Sequence, residues 1–131
     1  MIYAKESYIE TEHFELWIEN GIINGIYKPD LKIVTIDIAK QMVSTRLRLS
    51  NEITRPIFVD LCNMVSVDKA SRTYLAKGDA MKYLSATAIL VDNPISKFAA
   101  NIYIRIDKPS IPTKFFTDKT LALAWLEQYK T

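Results

Sequence analysis

Two carboxylates stand around one short turn. Asp60 closes the apolar stretch Ile57-Phe58-Val59, and Asp68 comes just before a helical pattern. A carboxylate at the carboxyl end of a central parallel strand sits where α/β sheets bind small molecules, as a ligand or as an acid/base group. A single carboxylate with no second converging group does not make a site. Asp60 therefore reads first as an acceptor of turn N–H groups, and Asp68 as an N-cap. Asn63, Ser66, Asn93 and Ser96 belong to two turns that leave neighbouring strands at the same end. Together with Asp60, Asp68, Lys69 and Ser71 they outline a polar rim, the candidate contact with a ligand or partner.

Other chemistries find little support. Cys62 is the one thiol and His13 the one imidazole. A nucleophilic pair needs hydrogen-bond contact and an orienting third group. His13 opens the first strand while Cys62 follows the central one, so Cys62 reads as a small buried hydrophobe. Three glycines leave no glycine-rich phosphate loop. One histidine rules out a multi-histidine metal site, and no acidic cluster suggests magnesium. The expectation is a non-catalytic protein with no cofactor and no metal.

The elements that position this turn fit one domain, residues 1–131, with 1–11 as a loose arm. A domain this long buries about two-thirds of its unfolded-chain surface, enough for a core without staples. Hydrophobic residues make up 49% and charged residues 24% of the chain, and the formal charge is +2 without a cationic block. No nucleic-acid partner is expected. Lys40, Arg46 and Arg48, on the first helical pattern, read as a solvated face. One cysteine allows no internal disulfide and no cysteine zinc cluster, which suits a cytoplasmic protein. No stretch approaches the roughly 20 apolar residues of a membrane span, and the N-terminus carries no secretory pattern.

Along the chain, Phe14, Leu16 and Ile18 alternate with Glu15, Trp17 and Glu19 up to Asn20-Gly21, and "IINGIY" follows. This is a β-hairpin with a turn that takes positive φ at both positions. "TIDIAKQMVSTRLRLSN" is helical, with Thr35 as N-cap and Ile36, Ala39, Met42, Val43 and Leu47 at helix spacing. The strand "PIFVDL", a helix from Asp68 with Ala70, Tyr74 and Leu75 inward, and the apolar strand "ATAILV" come next. A helix starting at Asn93-Pro94 presents Ile95, Phe98, Ala99, Ile102 and Ile106. "TKFF" is the last strand, and Thr117-Asp118 caps a terminal helix with Leu121, Ala124, Trp125 and Gln128 on its stripe. The result is an α/β fold, a hairpin followed by right-handed β-α units, with about five strands and four helices.

The stretch "VDLCNMVSVDKAS" resembles the turn of the STAS superfamily, which includes the anti-sigma-factor antagonists. "NPISKFAANIYIRIDKP", "PTKFF" and "TDKTLALAWLEQY" are more similar to the bacterial STAS-like proteins called SpoIIAA-like. The resemblance covers roughly residues 12–130 and implies a SpoIIAA/STAS-like fold. In the antagonists, the second serine of a motif after the matching aspartate accepts phosphate. Here Lys69 and Ala70 stand at the serine positions, so that switch has no hydroxyl. Ser71 is one residue on, turned by about 100° along a helix, and does not inherit the role.

The expected role is thus a cytoplasmic interaction or regulatory module. Ala100, Tyr103 and Ile104 widen the apolar surface of the Pro94–Arg105 helix into a candidate interface, for a second copy of the chain or a regulatory protein. The alternative is a small-molecule or lipid-binding protein. That reading needs a cavity between sheet and helices, lined by Phe98, Ile102, Phe115 and Trp125.

Overall fold

The computed structural model describes residues 5–92 and 100–130. Its main sheet has six strands in the order β1 (Glu6–Glu10), β2 (Phe14–Glu19), β3 (Ile22–Tyr27), β5 (Arg55–Asp60), β7 (Leu84–Leu90) and β8 (Thr113–Phe116). β1, β2 and β3 are antiparallel neighbours, and β3, β5, β7 and β8 run parallel. A separate ladder pairs β4 (Ile33–Val34) with β6 (Ser66–Val67) in parallel.

The described residues form eight strands where about five were expected. Part of the difference is the presumed loose arm: Glu6–Glu10 is an edge strand held on β2, with Ile9 packed against the core. Its polar outer residues hide this from a hydrophobicity pattern. The two-residue strands β4 and β6 are too short to show a period.

Asn20 and Gly21 both take positive φ, 54° and 72°, and close the β2–β3 hairpin as their types demand. The Asn20 amide donates to Glu127 at 3.0 Å and accepts from Lys130 Nζ at 3.0 Å, so the turn is pinned to the end of the chain. Alternation along β2 sends Phe14, Leu16 and Ile18 to one face.

That face is covered by α1 (Ile36–Ser50), α2 (Lys69–Leu75) and α3, whose described part runs 100–107 and ends in a π-turn, Tyr103–Asp107. The opposite face of β3, β5 and β7 is covered by α4 (Lys119–Leu126).

Three helix faces differ from the spacing argument. In α4 the buried residues are Ala122 and Leu126, while Leu121 is exposed; Ala122 packs in a cluster with the small Ala86 and Ala88 of β7. In α2, Ala70 is exposed and Ser71 is the buried residue. In α3, Ile106 is 72% exposed. The π-turn inserts an extra residue into the helical register, which rotates Ile106 out of the stripe that an unbroken α-helix would give.

Candidate site: a cavity beneath the helices

A cavity of about 160 Å³ lies between the sheet and the helices of the first face. Its floor is Gly25 and Tyr27 of β3, Ile57 and Val59 of β5, Thr87 and Ile89 of β7, and Phe115 of β8. Its roof is Met42 and Val43 of α1, Leu75 of α2, and Ala100 and Tyr103 of α3. Val65, Ser66, Val67 and Arg72 line one side. Val65 is 66% exposed and Ser66 is exposed, so the cavity meets solvent beside β6, near the carboxyl ends of the parallel strands.

Inside, the wall is largely aliphatic and aromatic. Tyr103 and Phe115 meet edge to face at 6.3 Å. The Tyr103 hydroxyl donates to the Leu75 carbonyl at 2.9 Å, and burial pushes its ionisation upward, as it does for Tyr27. Arg72 Nε donates to Asp107 at 3.2 Å, with the Asp107 side chain only 6% exposed. These two contacts join α2 to α3 along the rim. Thr87 Oγ1 is buried without a hydrogen-bond partner.

Arg46 is the largest departure from expectation. It is 2% exposed, not part of a solvated face. Its guanidinium donates to the carbonyls of Lys82 (2.9 Å), Ala80 (3.1 Å) and Asp79 (3.3 Å), and lies 3.5 Å from Ser50 Oγ. In the 3₁₀ turn Gly78–Met81 the Asp79 carbonyl also accepts the Lys82 N–H at 3.2 Å, and Arg46 adds donors to it and to the carbonyls that follow. Burial lowers its pKa to about 10, so it stays charged at neutral pH. Arg46 is also among the residues that line the cavity.

The polar rim divides. Ser66 reaches the cavity. Asp60 shares the face of Phe58, towards α4, and its Oδ1 accepts the Cys62 N–H at 2.9 Å. Asp68 caps α2, accepting the Ser71 N–H at 2.8 Å. Hydrogen bonding from Ser71, its hydroxyl first and its N–H second, holds the Asp68 carboxyl below the ordinary value. Ser71 is fully buried, and its hydroxyl also reaches Val34 O at 3.2 Å. Asn63 and Lys69 are exposed. Asn93, Ser96 and Phe98 lie outside the described residues.

Thr35 stands at the N-cap of α1 without a side-chain cap bond. Of the interface candidates, Ala100 (6%) and Tyr103 (8%) are buried within the molecule, and Ile104 is exposed. Trp125 packs on the α4 face with Phe116 and Tyr129, away from the cavity, whereas Phe115 lines it as expected.

Cys62 and His13 do not form a pair. Desolvation first, then the hydrogen bond and charge of Asp60, push the Cys62 thiol up to about 12. His13 lies beyond β3 at the start of β2, 3.8 Å from Glu12; two strand spacings, about 10 Å, separate it from the β5 end. Among the described residues no three carboxylate, imidazole or thiol groups gather as metal ligands, and no helix is long and apolar enough to cross a membrane.

Thr87, Arg72 and Asp107 were not visible as site residues. Nothing in "ATAILV" marks one threonine as unpaired. The Arg72–Asp107 pair joins residues far apart in the chain.

The architecture is that of a SpoIIAA-like α/β protein. A solved structure it resembles is an uncharacterized protein of the DUF3478 family with a SpoIIAA-like fold from Shewanella loihica PV-4: 18% identity over 95% of this chain and 93% of that one, with a TM-score of 0.58. The chain belongs to the DUF7793 family, a domain of unknown function, whose model matches residues 16–130. No curated protein matches it.

Proposed function

We propose that this protein is a non-catalytic binding module that holds a small, mainly apolar molecule between its sheet and helices. The observation that carries this reading is the cavity of about 160 Å³ with its mouth at Val65 and Ser66. Well-packed interiors leave few voids larger than a water molecule. An engineered cavity of about 150 Å³ stays dry and binds benzene. The described lining offers no carboxylate, imidazole or thiol to act as a base, and its two tyrosines are held in the protonated form. Such a wall favours holding a molecule over converting it.

Native mass spectrometry of the purified protein tests this. An added mass that disappears on denaturation, and is absent from Val59→Phe, which fills the floor, is the expected result. A protein that carries no added mass and gains no thermal stability from benzene or toluene would overturn it.

A second reading, self-association, is favoured by Ile104 and Ile106, both exposed on one π-turn. Light scattering of the protein and of Ile104→Glu decides it. A dimer that the substitution splits supports it, and a monomer removes it.

A further inference from the structure

The mouth of the cavity differs in chemistry from its interior. Inside, the wall is largely aliphatic and aromatic. At the mouth stand Ser66, which is exposed, and Arg72, whose side chain is 22% exposed. Arg72 Nε donates to Asp107 at 3.2 Å and Nη1 to Val67 O at 3.4 Å, and neither bond uses Nη2. The carboxylates beside this guanidinium are already engaged: Asp107 by Arg72 itself, and Asp68 by the Ser71 N–H at 2.8 Å. Two exposed lysines flank the opening. Lys32 O accepts the N–H groups of Val65 (2.8 Å) and Ser66 (3.2 Å), and Lys69 begins α2 just after β6. Neither lysine forms an ion pair among the described residues.

An apolar interior behind a positively charged opening suits an amphiphile with a short tail and an anionic head. About 160 Å³ admits a tail of roughly six carbons, by comparison with the cavity of about 150 Å³ that holds benzene. A guanidinium N–H pairs best with a carboxylate oxygen, in a bond about twice as strong as a neutral one. A head that stays at the mouth keeps part of its hydration, which avoids the cost of burying a charge. An ammonium head in the same place would meet Arg72 and both lysines as like charges.

Building on the ligand-binding reading above, we infer that the cavity takes a short-chain carboxylate, with its tail beneath the helices and its head at the mouth against Arg72 and Ser66. Both side chains donate hydrogen bonds, as an acceptor-only carboxylate requires.

Hexanoate, hexanol and hexylamine are the probes, alike in tail and different in head. Their affinities are measured by calorimetry at neutral pH on the wild type and on the double variant Arg72→Met with Asp107→Asn. That variant removes the guanidinium without stranding a carboxylate and leaves the net charge unchanged. The wild type should bind hexanoate about tenfold or more tightly than hexylamine, and added salt should weaken hexanoate but not hexanol. The double variant should shift the hexanoate-to-hexanol ratio against hexanoate by about tenfold, the worth of one charge-assisted hydrogen bond. Hexylamine binding as tightly as hexanoate to the wild type, a readout that needs no variant, overturns the anionic head. A ratio unchanged in the double variant overturns the assignment of Arg72 and leaves the cavity as a ligand site. Failure of the wild type to bind any of the three overturns the ligand-binding reading itself.

Discussion

Arg46 Nη2 on α1 donates to the Ala80 carbonyl at 3.1 Å, and the same guanidinium reaches Lys82 O and Asp79 O. One helix side chain thus terminates a 3₁₀ turn that lies 34 residues further along the chain. Arg46→Met removes every guanidinium donor and strands the Lys82 and Ala80 carbonyls, so it should destabilise the fold by about 3 kcal/mol. Arg46→Lys should recover little of this, since an ammonium cannot reproduce the planar fork. Urea denaturation of the two variants checks both statements.

The α2–α3 seam gives a second prediction. Arg72→Met leaves the Asp107 carboxylate buried without its partner and should cost about 3 kcal/mol. Adding Asp107→Asn removes the stranded charge, so the double variant should be more stable than Arg72→Met alone. Tyr103→Phe, which loses only the bond to Leu75 O, should cost about 1 kcal/mol. Thermal and urea unfolding of this set measure the coupling.

Cys62 should be sluggish towards alkylating reagents. Its thiol is raised to about 12 by desolvation and by Asp60, so the reactive thiolate is scarce at ordinary pH. At pH 8 the rate with iodoacetamide should fall at least a hundredfold below that of a free cysteine, from the thiolate fraction alone. Asp60→Asn should speed the reaction without reaching the free-thiol rate, because desolvation remains the larger cause. A timed mass-spectrometric assay of the folded protein reads both.

For Asp68 the sign is that of a depressed carboxylate. Its contribution is present above the unfolded value, near 4, and is lost as pH falls through the lower folded value. Asp68→Ala should therefore melt below the wild type at neutral pH, and the gap should narrow on acidification below about pH 4. Melting curves across that range test it.

Much of the scaffold follows from local chemistry. Asn20-Gly21 specifies the hairpin, the apolar runs at Pro56 and Ala86 specify central strands, and Asp68 and Asp118 cap helices through their own side chains. The expected capping role of Asp68 holds. What escaped has a common cause. Arg46 faces inward because carbonyls over thirty residues away need it, and Thr87 lacks a partner because of what lies across the sheet. Neither fact is written in a residue's near neighbours. The π-turn likewise shifts Ile106 by one register step that no spacing rule anticipates. The polar turn at Asp60 drew attention through residue type, yet its carboxylates serve the backbone, and the cavity opens one strand segment further on, at Ser66.

The first strand has a consequence for assembly. β1 pairs irregularly with β2: the register shifts between Glu6 and Ile9, and Ser7 takes φ 53°. Lys28 bridges to Glu10 at 2.6 Å. An interrupted, charged border of this kind is a poor template for sheet extension. Behind it lies β2, whose six residues pair with β3 without a break and carry Leu16, Trp17 and Ile18. A proteolytic clip past Glu10 would bare that regular edge, and the shortened chain would be a candidate for fibre growth by strand addition.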